Sequence, residues 1–289
     1  MTSRLRVAAI DFLNPAPLMW DFDHLPRSQE LAGRYAVHLT QPSLCAEELL
    51  SGRADLGLIP VASLTESLAV VPGCAIASLK KVRSIQLIVK LRGFAGAVDD
   101  VLKQVRTVAA DTASRSSVAY AQIIFQRFIG TQPEFIPHPA DAVAMLAAAD
   151  AALLIGDPAL LTLQSRSAVE QAHGPCLWLD LAEQWVERAG MPWVAAVWAV
   201  RPESLSPSTL MAPQLIHDLQ RSRDAGLENI ERLVEEWSGR IAVPSEVIRS
   251  YLTENISYHL SPGCIESIRV FRAYAAELGL LPPVELRLL

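Results

Sequence analysis

The first apolar run, Leu5–Ile10, reads as a short buried strand, closed by the turn Asp11-Phe12-Leu13-Asn14-Pro15. A helix is expected to start near Pro17, because the fixed φ of proline suits a first helical turn. Tyr35–Leu39 alternates apolar and polar positions and predicts a second strand. Ser43 is expected to cap a helix running through Leu50, with Gly52 just past its end. Asp55–Ile59 predicts a third strand, stopped by Pro60. This β-α-β-α-β order predicts parallel pairing with right-handed crossovers.

Ser84–Lys90 predicts a further strand, and after Gly93 the pattern restarts. Val105–Ala110 predicts a strand, and the run from Asp111 to Ser117 leads into a helix carrying Val118, Ala121, Phe125 and Phe128 at helical spacing. A short strand at Phe135–Pro137, a helix over Ala140–Ala149 and a buried strand at Ala151–Ile155 follow, ending in Gly156-Asp157-Pro158. Trp193–Val200 is another strong strand, and the chain then reads as helices over 208–224, 227–239, 244–255 and 261–279. No internal repeat or low-complexity segment interrupts it.

Two β-α-β units joined by an extended segment, with a second extended segment leading back, predict a two-lobed α/β fold with a ligand cleft between the lobes. Residues 1–90 and 200–289 are expected to form one lobe, the latter with the C-terminal helices, and 91–199 the other. A single doubly wound sheet with a helical appendage is the alternative.

Composition narrows the function. Hydrophobic residues make up 51% of the 289 and charged residues 19%, enough apolar surface for a core and no sign of disorder. The net charge is −6 and no lysine–arginine run stands out, which argues against nucleic acid. An anionic ligand would need positive potential supplied locally by arginines and helix N-termini. Cys45, Cys74, Cys176 and Cys264 are widely spaced with no C-x-x-C, as expected for reduced thiols. Four apolar residues at Val7–Ile10 are fewer than the roughly 7–15 of a signal-peptide core. Ala142–Ile155 is too short for a bilayer and is broken by Asp150. The expectation is a cytoplasmic protein with no membrane partner; oligomeric state is not legible.

Several chemistries lack their motifs. There is no G-x-G-x-x-G, G-K-[ST], G-x-S-x-G or H-E-x-x-H, and the six histidines (His24, His38, His138, His173, His217, His259) suggest no metal cluster. No cofactor and no metal are expected. Binding remains, or catalysis by positioning and electrostatics.

Four polar turns sit at predicted strand ends, where ligands of parallel sheets bind. Asn14 in the first turn can donate to a ligand oxygen and accept from a hydroxyl, or serve an Asx turn. In Lys80-Lys81-Val82-Arg83-Ser84, Arg83 can pair with a carboxylate in bidentate fashion, or the stretch is a solvated basic loop. Asp111-Thr112-Ala113-Ser114-Arg115-Ser116-Ser117 sits where a strand becomes a helix. Free backbone N–H groups there suit an anion, and Thr112, Ser114, Arg115 and Ser116 are candidate ligand contacts. One cap needs only one of these groups. Leu154-Ile155-Gly156-Asp157-Pro158 offers Gly156 for close backbone approach and Asp157 as a contact or as the cap of the next helix.

These blocks resemble a known family. Asp11-Phe12-Leu13-Asn14-Pro15-Ala16-Pro17-Leu18 looks like the S-Y-L-N-T-K-P-L motif of the chorismate dehydratases of menaquinone biosynthesis, on the futalosine route. Val82-Arg83-Ser84, the Asp111–Ser116 block, Ile155–Leu160, Asp180-Leu181 through Trp185, Met191–Val194 with Val197-Trp198-Ala199, Tyr251-Leu252 and the tail near Gly279-Leu280 are similar to its other blocks in order and spacing. The sister enzyme of that route usually opens with a serine-proline-cysteine-proline-asparagine-aspartate turn, which is absent. Asp11 stands where the family has serine, and Pro15-Ala16 where it has threonine-lysine, which removes one carboxylate partner.

The resemblance implies a type II periplasmic-binding-protein-like fold and a lyase that removes water from chorismate to give 3-[(1-carboxyvinyl)oxy]benzoate. It implies Asn14 and Ser84 at the reacting groups, with Arg83, Thr112, Ser114, Arg115, Ser116, Gly156 and Asp157 around a dicarboxylate substrate. The four motifs contain no histidine or glutamate to serve as base. Asp11 and Asp157 are protein candidates, and the substrate's own side-chain carboxylate is the other. A non-catalytic solute-binding or sensor domain for a small carboxylate is the alternative function.

Overall fold

The computed structural model describes residues 4–289. Its eleven strands form two sheets. In the first, β1 (Leu5–Ile10) pairs in parallel with β2 (Tyr35–Thr40) and β3 (Leu56–Pro60), as the β-α-β-α-β order requires. The antiparallel strands β10 (Trp193–Val200), β4 (Ala69–Ser78) and β11 (Ser257–His259) extend it, in the order β11-β4-β10-β3-β1-β2. The second sheet has the order β7-β6-β8-β5-β9: β5 (Ile85–Lys90), β6 (Thr107–Asp111), β7 (Glu134–His138), β8 (Ala151–Ile155) and β9 (Cys176–Asp180).

Two strands sit opposite to their expected sheets. The pattern puts Ser84–Lys90 with residues 1–90, but β5 lies antiparallel between β8 and β9. It puts Trp193–Val200 with 91–199, but β10 lies antiparallel between β3 and β4. The chain therefore changes sheet between Ser78 and Ile85 and again between Asp180 and Trp193. Strand direction in a mixed sheet leaves no trace in a short apolar run, which is why pattern alone assigned both edges of the crossing wrongly.

The central strands are apolar because both faces are covered: β3 and β8 are buried at every position. Beneath β10, Tyr120 packs against Trp193 and Phe271, with ring centroids 3.8 and 4.0 Å away. That aromatic layer joins helix Ser116–Ile123 to the C-terminal helix Pro262–Glu277 within one continuous core. Pro42, not Ser43, begins the helix Pro42–Leu50, so its cap position falls on Gln41 and Ser43 is buried within the helix.

Candidate active site between the sheets

Four of the turns singled out in the sequence lie at or beside the strand ends that face each other across the two sheets. Ile10 ends β1, and Phe12 and Asn14 follow it; Ser84 and Ile85 open β5; Ala113 to Ser117 follow β6; Ile155 ends β8, and Gly156 follows it. Together with Pro42, Pro60, Ile76, Ala195 and Ala196 they enclose a cavity of about 50 Å³. That is room for a few waters, whereas sites for small molecules run to about 300–1,000 Å³, so a ligand enters only as the walls part.

The walls carry polar groups without partners. Asn14 Oδ1 and Ser114 Oγ are buried and make no hydrogen bond, and they come from opposite sheets. The Asx-turn role open to Asn14 is thus unfilled, and its oxygen is free for a donor. None of the hydroxyls caps helix Ser116–Ile123, whose cap position is Arg115 without a side-chain bond. The first N–H groups of that helix have no carbonyl within the helix to meet.

Ser84 is buried, and its Oγ accepts from the Tyr251 hydroxyl at 2.7 Å. Its carbonyl accepts from the Gly156 N–H at 2.8 Å, tying β5 to the end of β8. The turn before it is held in an uncommon shape: Arg83 has φ of +64°. The Asp180 carboxylate accepts both the Val82 and Arg83 N–H groups, and Gln86 Nε2 donates to the Arg83 carbonyl at 3.0 Å. Several bonds thus fix a backbone conformation that alone would be unfavourable.

Arg83 itself does not line the cavity; its Nη1 donates to Ser250 Oγ at 3.2 Å. Thr112 is exposed outside it, and its N–H donates to the His138 carbonyl at 3.2 Å. Arg115 reaches the rim, where Nη2 pairs with Glu47 at 2.8 Å. Ser116 lines the wall, but its hydroxyl is engaged by the Ala195 carbonyl at 3.1 Å and the Ala62 N–H at 3.2 Å. Asp111 accepts from Ala113 at 2.9 Å and Ile155 at 3.4 Å, and burial pushes its carboxyl up.

Gly156 and Asp157 do what their neighbours cannot. Gly156 has φ of +63°, and a Cβ there would meet the Phe12 ring at 2.6 Å, so only glycine lets that ring lie against the end of β8. Asp157 is not the cap of helix Gly156–Gln164, whose cap position is Ile155. Its carboxylate instead crosses to the Leu13 N–H at 3.0 Å, and burial pushes it up to about 6. Asp11 faces away: it meets Arg240 at 3.2 Å and lines a separate cavity with His24 and Glu236. Among the described residues no group of three or more His, Cys, Asp or Glu side chains is placed to hold a metal.

Asp180 and Tyr251, which hold and orient the Ser84 turn, had no role assigned from sequence. Their blocks were visible as parts of the resemblance, but their partners lie 97 and 167 residues away in the chain, beyond any spacing rule.

Two opposed mixed sheets with a cleft between their strand ends define a periplasmic-binding-protein-like α/β protein. Solved structures agree. A protein of Archaeoglobus fulgidus superimposes with a TM-score of 0.72 at 14% identity, over 96% of this chain and 98% of that one. The alkanesulfonate-binding protein of Xanthomonas axonopodis, bound to MOPS, gives 0.68 at 18% identity, over 96% and 94%. A Candida albicans protein with the generic periplasmic binding protein fold gives 0.65 at 12%, over 98% and 92%. Residues 5–277 match the menaquinone biosynthesis family, and the chain belongs to it. It is 29% identical over 281 residues to the chorismate dehydratase of Thermus thermophilus, covering 93% of each chain. No helix among the described residues is long and apolar enough to cross a membrane.

Proposed function

We propose that the protein is a hydro-lyase that converts chorismate to 3-[(1-carboxyvinyl)oxy]benzoate and water. The observation that carries this reading is that Asn14 and Ser114, whose side-chain oxygens are buried without a partner, line one cavity from opposite sheets, in a chain of this family. Such atoms cost free energy unless a ligand satisfies them.

The reaction breaks the C3–H and C4–O bonds of the substrate ring. The proton leaves C3, the C4 hydroxyl departs with the C–O electron pair and takes up that same proton to become water, and the ring becomes aromatic, which drives the reaction. The substrate's own side-chain carboxylate takes the C3 proton. The protein holds that conformer, with Asn14 and Ser84 hydrogen-bonding the reacting groups. Arg115 and the first N–H groups of its helix receive one carboxylate. Arg83 reaches the second by releasing Ser250. The two lobes, residues 4–78 with 193–289 and residues 85–180, close over the substrate and exclude water. Four free, buried cysteines suit a reducing cytoplasm.

The test is to incubate purified protein with chorismate and follow the ultraviolet absorbance of an aromatic product, identifying it by mass. Production of the benzoate supports the lyase. Chorismate bound and recovered unchanged would make the protein a binding domain and reject the lyase.

A further inference from the structure

We propose that Tyr251 is a positioning residue that fixes the direction in which the Ser84 hydroxyl donates into the cleft. The proposal rests on the reading above, in which Ser84 meets the substrate.

The bond between the two residues is directional. Tyr251 is fully buried at the end of helix Ser245–Ser250, and its O–H donates to Ser84 Oγ at 2.7 Å. Ser84 Oγ makes no other hydrogen bond among the described residues, and Ser84 lines the cavity. The phenol proton therefore occupies one lone pair of the serine oxygen. The serine's own proton is left without a partner in the protein, and the cavity is where a partner would be.

Tyr251 has no donor behind it. The buried hydroxyl of Tyr258 has no partner and does not reach Tyr251. Burial holds the Tyr251 phenol well above its ordinary value, so it stays protonated and remains a donor. A donor feeding a second donor also polarises it, so the Tyr251–Ser84 pair gives a stronger hydrogen bond to developing negative charge than a lone serine. The leaving C4 oxygen of the substrate carries that charge.

The backbone alone does not set this direction. Asp180, Gln86 and Gly156 fix where the Ser84 backbone lies, but a serine hydroxyl still rotates about χ1 and its C–O bond. Packing does not require the phenol oxygen either, since phenylalanine has the same ring. Its partner in the cleft is what distinguishes Tyr251 from a core aromatic.

The test is a cycle of Tyr251→Phe, Ser84→Ala and the double variant, assayed for chorismate turnover, with Tyr258→Phe as a control. Tyr251→Phe should lower kcat roughly 10- to 100-fold while KM stays within about three-fold, because the lost interaction acts in the transition state. In the Ser84→Ala background, adding Tyr251→Phe should change kcat by less than about two-fold, as for two residues acting through one contact. Tyr258→Phe should keep wild-type kcat. Unchanged kcat in Tyr251→Phe, an effect that multiplies fully with Ser84→Ala, or an equal loss in Tyr258→Phe would each overturn the positioning role. So would a Tyr251→Phe chain that cannot fold, which would make the hydroxyl structural. A wild-type protein inert toward chorismate would instead reject the dehydratase reading itself.

Discussion

Asp157 meets the Leu13 amide across the cleft, and its carboxyl is pushed up to about 6 because burial outweighs the one backbone bond it accepts. In the unfolded chain the same group titrates near 4. Between those two values the folded protein binds more protons than the unfolded one, so stability contributed by this group falls as pH rises from about 4 to about 6. The difference is at most about 3 kcal/mol. Asp157→Asn keeps an oxygen for the Leu13 N–H and carries no charge. Its melting temperature should lack the decline that wild type shows across that window, and at neutral pH it should equal or exceed wild type. Turnover should persist within about an order of magnitude. Complete loss with the fold intact would move proton acceptance from the substrate carboxylate to Asp157. Asn14→Ala and Ser84→Ala should behave oppositely. A donor aimed at developing charge is worth about 2.7–4 kcal/mol, or roughly 10²–10³ in rate, while a turn cap is worth only about 1 kcal/mol of stability. Turnover should collapse while the melting temperature moves by a few degrees, and equal losses in both measurements would make these residues structural.

At the scale of elements, the turn carrying Asn14 rests on a helix far away in sequence. Ser222, in helix Ala212–Glu228, donates to the Leu18 carbonyl and accepts from the Asp21 N–H, each at 2.9 Å. One turn further along, Gly226 lies so close to Pro17 that an added Cβ would sit 2.6 Å from the Pro17 Cα and still closer to its carbonyl oxygen. Alanine in a helix interior normally gains up to about 1 kcal/mol over glycine. Here rigid backbone has to move, at a cost of roughly 1–3 kcal/mol or more. Gly226→Ala should therefore lower the melting temperature and also kcat, by displacing Asn14. Gly239→Ala, whose Cβ would meet only the Glu236 carbonyl at 3.6 Å, should do neither. Such a contact has no sequence signature, and this marks how far the fold was legible. The parallel β1–β3 unit was readable because β1 and β2 are followed by polar residues and proline-led helical turns, and β3 is stopped by Pro60. β4 was not, because Pro72 and Gly73 interrupt its apolar run; in the structure Gly73 has φ of +97° within a strand whose pairing is irregular. β9 and the helices Arg166–His173 and Leu181–Ala189 also went unread. For the site, strand-end chemistry pointed to Asn14, Ser114 and Gly156 and the family resemblance to Ser84, all of which line the cavity. The opposite-lobe partners of Ser84 and Asp157 could be found only in three dimensions.

The whole molecule is acidic, and the cleft is nearly shut, so on the proposed function the approach of a dicarboxylate depends on what crosses its mouth. Arg115 belongs to the second sheet's helix and Glu47 to the helix Pro42–Leu50 of the first; they pair at 2.8 Å with both side chains about half exposed. A substrate carboxylate that uses Arg115 has to displace Glu47. The existing pair is solvated and worth only about 0.2–1 kcal/mol. Removing the competitor by Glu47→Gln should therefore lower KM by a factor of about 1.4 to 5, the same free energy expressed as affinity. Both kcat and the melting temperature should stay close to wild type. Arg115→Ala should raise KM roughly 10- to 100-fold, as expected for loss of charge-assisted hydrogen bonds of about 1.5–3 kcal/mol. The two variants must move in opposite directions if Arg115 serves the ligand. If Glu47→Gln raises KM as Arg115→Ala does, the pair acts as a strap that holds the lobes together, and the carboxylate is bound by the helix N-terminus and Arg83 instead.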